Sequence, residues 1–356
     1  MFTLVRYLSV IFASRFLLVA AGVTMFVGIL DVMANGDEIV DAASGDANAL
    51  FRYALLRLPE IISQVTPFCV LISALLTLAQ LTRHSELIAL RSFGISQFAI
   101  FIGLVPVALL VVAGLMFVNE GLIPKSVAAL RLWGIGEYGK GMSALGISEG
   151  VRWMRKDDNV LRVTIEERPD GRIGNILVFE RNDRGELLRR IEAQSADPAN
   201  WILFDVTLLD VATNETTFIE KAVWEARFRP TRLLPSITHP REMPLPDVIL
   251  AVENEGFGLR PPFLYETWFH KKLAAPAVVL LMILLPIPLA HRFQRHRGIL
   301  SMLVMGIALG FCFFIFDGFA LAMGEAGLLP PILAAWVPTA VLALVAQGMM
   351  YQIEGA

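Results

Sequence analysis

The residue pattern closest to a known chemistry is Gly134-Ile-Gly-Glu-Tyr-Gly139-Lys140-Gly141. It satisfies both G-x-G-x-x-G and G-x-x-x-x-G-K, patterns in which glycines let backbone N–H groups approach a phosphate. The context fails on both counts. Gly141 stands where a phosphate loop needs a hydroxyl for Mg2+, and no strand-like run leads into the glycines. The stretch reads as a hinge. The histidines are His84, His239, His270, His291 and His296. His291 and His296 are five apart among arginines, with no carboxylate or thiol beside them to complete a metal set. No Ser/His/Asp arrangement assembles. Cys69 and Cys312 both sit in apolar runs and read as packing residues, not as a disulfide or zinc pattern. Catalytic and metal residues are therefore none, and no cofactor is expected on this chain.

The more informative element is Thr82-Arg-His-Ser-Glu-Leu-Ile-Ala-Leu-Arg-Ser-Phe-Gly94. Ser85 suits an N-cap, Glu86 lies in the first turn where the helix dipole favours an anion, and Arg91 lies near the end. Gly94 suits the left-handed position that closes a helix. Leu87 and Leu90 recur at helical spacing. A capped helix over 85–93, with an apolar stripe and both signs of charge, is more than a tight turn needs. It suits docking in a partner's groove, with an interfacial helix resting on lipid as the plainer reading.

The elements around it are set by composition. Of 356 residues, 56% are hydrophobic, above the roughly 45–50% of soluble domains, yet 30 are Lys or Arg and 33 Asp or Glu. Charges are costly in a bilayer core, so the two sets must be segregated. Net charge is −3, which gives no nucleic-acid footprint. Apolar runs predict six spans at about 8–33, 60–81, 98–118, 272–290, 298–317 and 331–350, each long enough for a roughly 30 Å core. Lys and Arg in short loops set orientation. Arg6, Arg83, Arg91, Arg292, Arg295 and Arg297 fall on one side, which predicts cytoplasmic termini. Lys271 and Lys272 stand against the rule at an outer boundary. Pro286 and Pro288 should break the fourth span. Gly306 and Gly310 form GxxxG, a close-approach pattern that serves packing within the chain or a subunit contact.

Residues 119–270 then form one extracytoplasmic insert holding 42 of the 63 charges. Its period changes to two: Leu161, Val163, Ile165, then Ile202, Phe204, Val206, Leu208, with further strands at 176–179, 187–193 and 216–224. Turns are marked at Pro169-Asp-Gly, Asp183-Arg-Gly and Asp197-Pro. Short strands at this spacing predict an all-β, jelly-roll-like domain. The proline-rich stretch 228–262 reads as an extended return, with a short helix at 246–255. The fold class is thus an α-helical integral membrane protein with six transmembrane helices and an extracytoplasmic all-β domain between the third and fourth. The regions are 1–118 with the helix at 85–93, 119–270, and 271–356.

The stretch LPEIISQVTPFCVLISALLTLAQLTRHSELIALRSFGIS, Leu58–Ser96, resembles the signature region of the lipopolysaccharide export permeases, the LptF/LptG family. Arg6-Tyr-Leu8 at the start and GLLPPILAAWVP at Gly327–Pro338 support it, and the first third is more similar to the LptG branch. The resemblance implies a non-catalytic half-transporter of an ATP-binding-cassette exporter in the inner membrane, with the β domain periplasmic. Its implied partners are an LptF-type paralogue, an LptB-type cytosolic ATPase dimer that carries ATP and Mg, an LptC-type periplasmic protein, and lipopolysaccharide. The helix at 85–93 would couple to the ATPase, with Ser85, Glu86 and Arg91 polar, Leu87 and Leu90 as apolar anchors, and Gly94 as the stop. Phe26, Ile29, Leu30, Ile307, Phe311, Phe314 and Ile315 would meet acyl chains.

One departure stands out. The LptG branch tends to carry basic residues near the outer end of the first span, where this chain has Asp31, Asn35, Asp37 and Glu38. A carboxylate repels a sugar phosphate, so either the basic contacts come from Lys125 and Arg131, with Arg52 as a third candidate, or the lipid carries less phosphate or is met through divalent cations. The competing function is a membrane-anchored periplasmic assembly or sensor protein that transports nothing.

Overall fold

In a computed structural model, the structure describes residues 2–42, 48–133, 150–156, 159–165, 173–182, 186–197, 202–223, 239–253, 260–292 and 298–354. The glycine pattern 134–141, the turns at 169–171, 183–185 and Pro198, the stretch 228–238, and Arg295, His296 and Arg297 lie outside them. The chain divides into two compact units, 1–127 with 267–356, and 128–266.

The first unit is helical. Its elements are α1 (Phe2–Ala42), α2 (Ala49–Arg83), α3 (Glu86–Ser92) and α4 (Gln97–Phe117), then a π turn (Val118–Leu122) that runs into α5 (Ile123–Trp133). After the second unit come α7 (Pro262–Leu284), α8 (Pro286–Arg292), α9 (Ile299–Glu325) and α10 (Pro331–Glu354), with α6 (Leu245–Glu253) belonging to the second unit. Six helices are long and apolar enough to cross a membrane: Phe2–Val40, Ala49–Arg83, Gln97–Arg131, Pro262–Arg292, Ile299–Glu325 and Pro331–Gln352. Each includes a predicted span and runs past its apolar core, because backbone hydrogen bonding continues beyond the hydrocarbon depth. Pro286 breaks the fourth between α7 and α8 at Leu285, as a residue without an N–H and with fixed φ does at a helix start.

α2 and α7–α8 are the buried helices of the bundle, and α1 and α9 the exposed ones. The core joins Leu8 and Phe12 of α1, Leu71, Leu75 and Leu78 of α2, Leu104 of α4, Met282 of α7 and Met302 of α9. The Gly306/Gly310 pattern is packing within this chain. A Cβ at Gly306 would lie 2.5 and 2.7 Å from the two Leu75 methyls, and one at Gly310 2.1 Å from Leu71 Cδ2. Small residues thus let α9 press on α2. Cys69 is buried, but Cys312 is exposed on α9, which corrects its reading as a packing residue. The GxxxG face of α9 turns to α2, and Cys312 lies on another.

The second unit holds a six-stranded antiparallel sheet in simple order: β1 (Gly150–Lys156), β2 (Asn159–Ile165), β3 (Ile173–Arg181), β4 (Leu187–Asp197), β5 (Ile202–Asp210) and β6 (Glu215–Val223). The β part of the insert is antiparallel as expected, and its described strands form a meander without the Greek-key crossing of a two-sheet roll. Its core is Ile176, Val178, Ile191, Ala193, Ala196, Leu203 and Val206. The alternation read for β5 turns over midway. Asp205, at φ +52°, is paired in neither flanking ladder, so the strand buries Leu203 before it and Val206 after it. A left-handed residue breaks the period of two.

Replacing Gly306 with Val should push α9 off α2 and cost about 1–3 kcal/mol of stability, read as a lower unfolding temperature in detergent. Gly318→Ala, where a Cβ meets nothing within 4 Å, should leave it unchanged.

Candidate functional site

The connection between α2 and α4 places α3 within two residues of the end of α2. Ser85 takes φ +58°, and its carbonyl accepts from the Ala89 N–H at 3.1 Å. Side-chain capping needs extended backbone, so the expected Ser85 cap does not form. The left-handed turn starts the helix instead. Gly94 does what its type predicts. At φ +76° it lets Ile95 N–H reach the Leu90 carbonyl at 3.1 Å, a Schellman closure. Two residues on, Ser96 caps α4 by accepting from Ala99 N–H at 3.2 Å.

α3 is held from two sides. Leu87 is 1% exposed and belongs to the bundle core, which removes it as an anchor for a partner: a side chain already packed inside has no surface to offer. Leu90 is half-buried. The apolar surface of this helix and its stop is Ile88, 50% exposed, and Phe93, 82% exposed. Glu86 Oε2 accepts from Tyr7 Oη at 2.7 Å, which ties α3 to the start of α1. The Arg91 side chain lies outside those described.

The candidate lipid contacts fall on two exposed faces. Phe26, Ile29 and Leu30 on α1, and Ile307, Phe311 and Ile315 on α9, all expose large apolar surface. Phe314 is half-buried, its ring edge-on to Phe68 of α2 and to Phe313. Of the candidate basic contacts, Lys125 is exposed. Arg131 is not available: its Nη2 pairs with Glu242 at 2.6 Å, both side chains 14% exposed.

At the far end of α1, one of the acids finds its partner. Asp31 accepts from Arg57 Nε at 3.1 Å and Nη2 at 2.9 Å, a bidentate pair across the α1–α2 hairpin. Arg57 also pairs with Glu60, whose other oxygen accepts from Gln64 at 3.1 Å. Asp31 therefore holds the hairpin together and is not turned to an anionic ligand, whereas Asp37 and Glu38 are exposed. Sequence reasoning missed Arg57 as its partner. The signal was an acid and a base placed symmetrically about the turn between two apolar runs. The lysines near the middle of α7 are matched in the same way. Lys271 pairs with Asp317 of α9, Lys272 lies 3.7 Å from Glu120 of the π turn, and Trp268 Nε1 donates to Glu325 at 2.6 Å.

Residues 6–352 match the family described as lipopolysaccharide export system permease LptF/LptG. The lipopolysaccharide export system permease protein LptG of Haemophilus influenzae is 25% identical over 296 residues, 80% of each chain. The protein of that name from Escherichia coli K12 is 22% identical over 325 residues, 89% of each chain.

Arg57→Met removes the cation that Asp31 and Glu60 share in a part-buried setting and should destabilise the fold by about 1–3 kcal/mol, the loss of charge-assisted hydrogen bonds. The pairing with Asp31→Asn should recover part of that loss. Both are read as unfolding temperatures of the purified chain.

Proposed function

This chain belongs to the lipopolysaccharide export permease family LptF/LptG, and from that premise we propose that it is the LptG-type half of an ATP-driven exporter. In this reading it pairs with an LptF-type permease, takes lipopolysaccharide from the inner membrane, and passes it through the periplasmic β domain toward an LptC-type partner and a bridge. ATP and Mg2+ act on a separate LptB-type ATPase dimer in the cytosol. The arginines at the α3 end support an orientation with both termini and α3 cytoplasmic.

The observation that carries the reading is the build of α3. It lies outside the apolar spans, joins the core through Leu87 and α1 through Tyr7–Glu86, and still exposes Ile88 and Phe93. A partner that seats on Ile88 and Phe93 pushes on a helix already connected to α1. Glu86 would then share its carboxylate between Tyr7 and a cation of the ATPase, with Arg91 as a second polar contact. The exposed faces of α1 and α9 would carry acyl chains.

Purification should recover an ATP-binding-cassette ATPase with the wild-type chain. Ile88→Asp and Phe93→Asp change exposed positions, so folding should be unaffected while ATPase retention falls about 30-fold, the loss of about 2 kcal/mol expected of an apolar anchor. Glu86→Ala should lower lipid-stimulated ATPase activity. A photo-reactive residue at Phe311 should capture lipopolysaccharide. Recovery of no ATPase with the wild type, or capture of bulk phospholipid alone at Phe311, would point to the anchored, non-transporting alternative.

A further inference from the structure

α1, α2 and α4 enclose a groove of about 360 Å3 in the helical unit, lined among others by Phe16 and Leu17 of α1, Thr66 of α2, and Val107, Gly114 and Val118 along the third span. It lies apart from Phe311, Phe314 and Ile315 of α9, which line no part of it. Space exists there because Gly114 has no side chain, and a Cβ built on it would meet nothing within 4 Å. Thr66 is the one polar side chain in the lining, and its hydroxyl already donates to the Ile62 carbonyl at 2.6 Å. No group remains to hold a water, which needs two or more polar partners. The occupant must be hydrocarbon.

Three features narrow which hydrocarbon. Val107 to Val118 covers about 16 Å along the helix at 1.5 Å per residue, close to one leaflet of a core about 30 Å thick. The volume falls at the small end of ligand pockets, room for one tail and not for a cluster. The groove also ends in a polar boundary. At Val118 the helix enters the π turn, where Ser63 Oγ donates to Asn119 Oδ1 at 2.6 Å. Seven residues beyond Val118 on the same continuous helix is Lys125, exposed and with no partner among the described residues. An apolar slot one leaflet deep, with a cation on a long flexible stem at its boundary end, has the layout of a phospholipid.

We propose that this groove binds one acyl chain of an anionic glycerophospholipid from the leaflet on the α5 side, with Lys125 at its phosphate. The tail fills the space between α1 and α4 over Gly114, and so completes the packing of a helix that the chain itself buries little. The lipid is a resident part of the fold, distinct from the transported one. The inference stands on the groove and Lys125 together and does not need the transport reading.

The test uses the full chain purified in mild detergent, with retained phospholipid counted by native mass spectrometry. Wild type should keep about one phospholipid per chain. Gly114→Leu fills the groove and should lose it. Gly22→Leu, also at an open position but outside the lining, should keep it. Adding phosphatidylglycerol to delipidated protein should raise the unfolding temperature of wild type and not of Gly114→Leu. Lys125→Gln should weaken that response at least threefold in lipid concentration, which carries the test should Gly114→Leu fail to fold. The proposal is overturned if wild type neither retains phospholipid nor responds to it, if Gly114→Leu behaves as wild type, if Lys125→Gln leaves the response unchanged, or if the retained lipid is lipopolysaccharide.

Discussion

Polar contacts along one exposed helix decide how the helical unit is assembled. α1 shows most of its surface to its surroundings, and between helices in lipid the hydrophobic effect supplies little attraction. Ser9 Oγ donates to the Gly103 carbonyl of α4 at 2.9 Å, and three further links hold α1 at three heights. Tyr7 donates to Glu86 of α3, Arg15 donates to Gln80 of α2, and Asp31 takes the bidentate pair from Arg57 of α2. Each joins α1 to the α2–α3 stretch of chain. The Arg15–Gln80 and Asp31–Arg57 pairs are part-buried, and in a low-dielectric setting such groups cannot be left unmatched without a cost of several kcal/mol, so these two also fix the register of the hairpin. The inward stripe of α1, Leu8 and Phe12, then lands in the core.

The same rule organises the other side of the bundle by different means. α9 meets α2 through glycine, with Gly306 and Gly310 accepting Leu75 and Leu71 in the space a side chain would have taken. The hydroxyls of Ser73, Thr77 and Thr82 in α2 return to carbonyls four residues back, at 2.6, 2.7 and 2.8 Å, so these hydroxyls are buried without outside partners. Lys271 and Lys272 find Asp317 and Glu120. A well-matched central helix, one neighbour packed by close approach and one tied by polar links gives a bundle whose exposed faces are nearly all apolar.

This arrangement bears on mechanism through α3. The helix is too short to persist alone, and its order comes from Leu87 in the core and Glu86 on Tyr7. A push on its exposed residues has two outlets, into α2 by packing and into α1 by a single hydrogen bond. Under the permease reading, that second outlet leads to the helix whose far half carries Phe26, Ile29 and Leu30. The mechanical route is short, and the weakest part of it is also the part nearest the partner.

Much of this was legible in the amino-acid order. Six spans, the all-β insert, the break at Pro286 and the Gly94 stop follow from apolar run length, a change of period and the special backbones of proline and glycine. These are properties of a residue and its near neighbours. What needed the tertiary structure was every question of which face points where. Leu87 and Ile88 are adjacent and alike in type, yet one is core and the other surface, because that depends on the angle at which the Ser85 turn sets α3 against α2. Asp31 reads as a repulsive charge until α2 folds back to bring Arg57 beside it. Arg131 reads as a free cation until Glu242, 111 residues on, closes on it. Asp205 reads as the outward step of a regular strand until its φ is known. Local pattern sets the elements, but charge balance and exposure are sums over neighbours distant in sequence, and those exist only once the chain has folded.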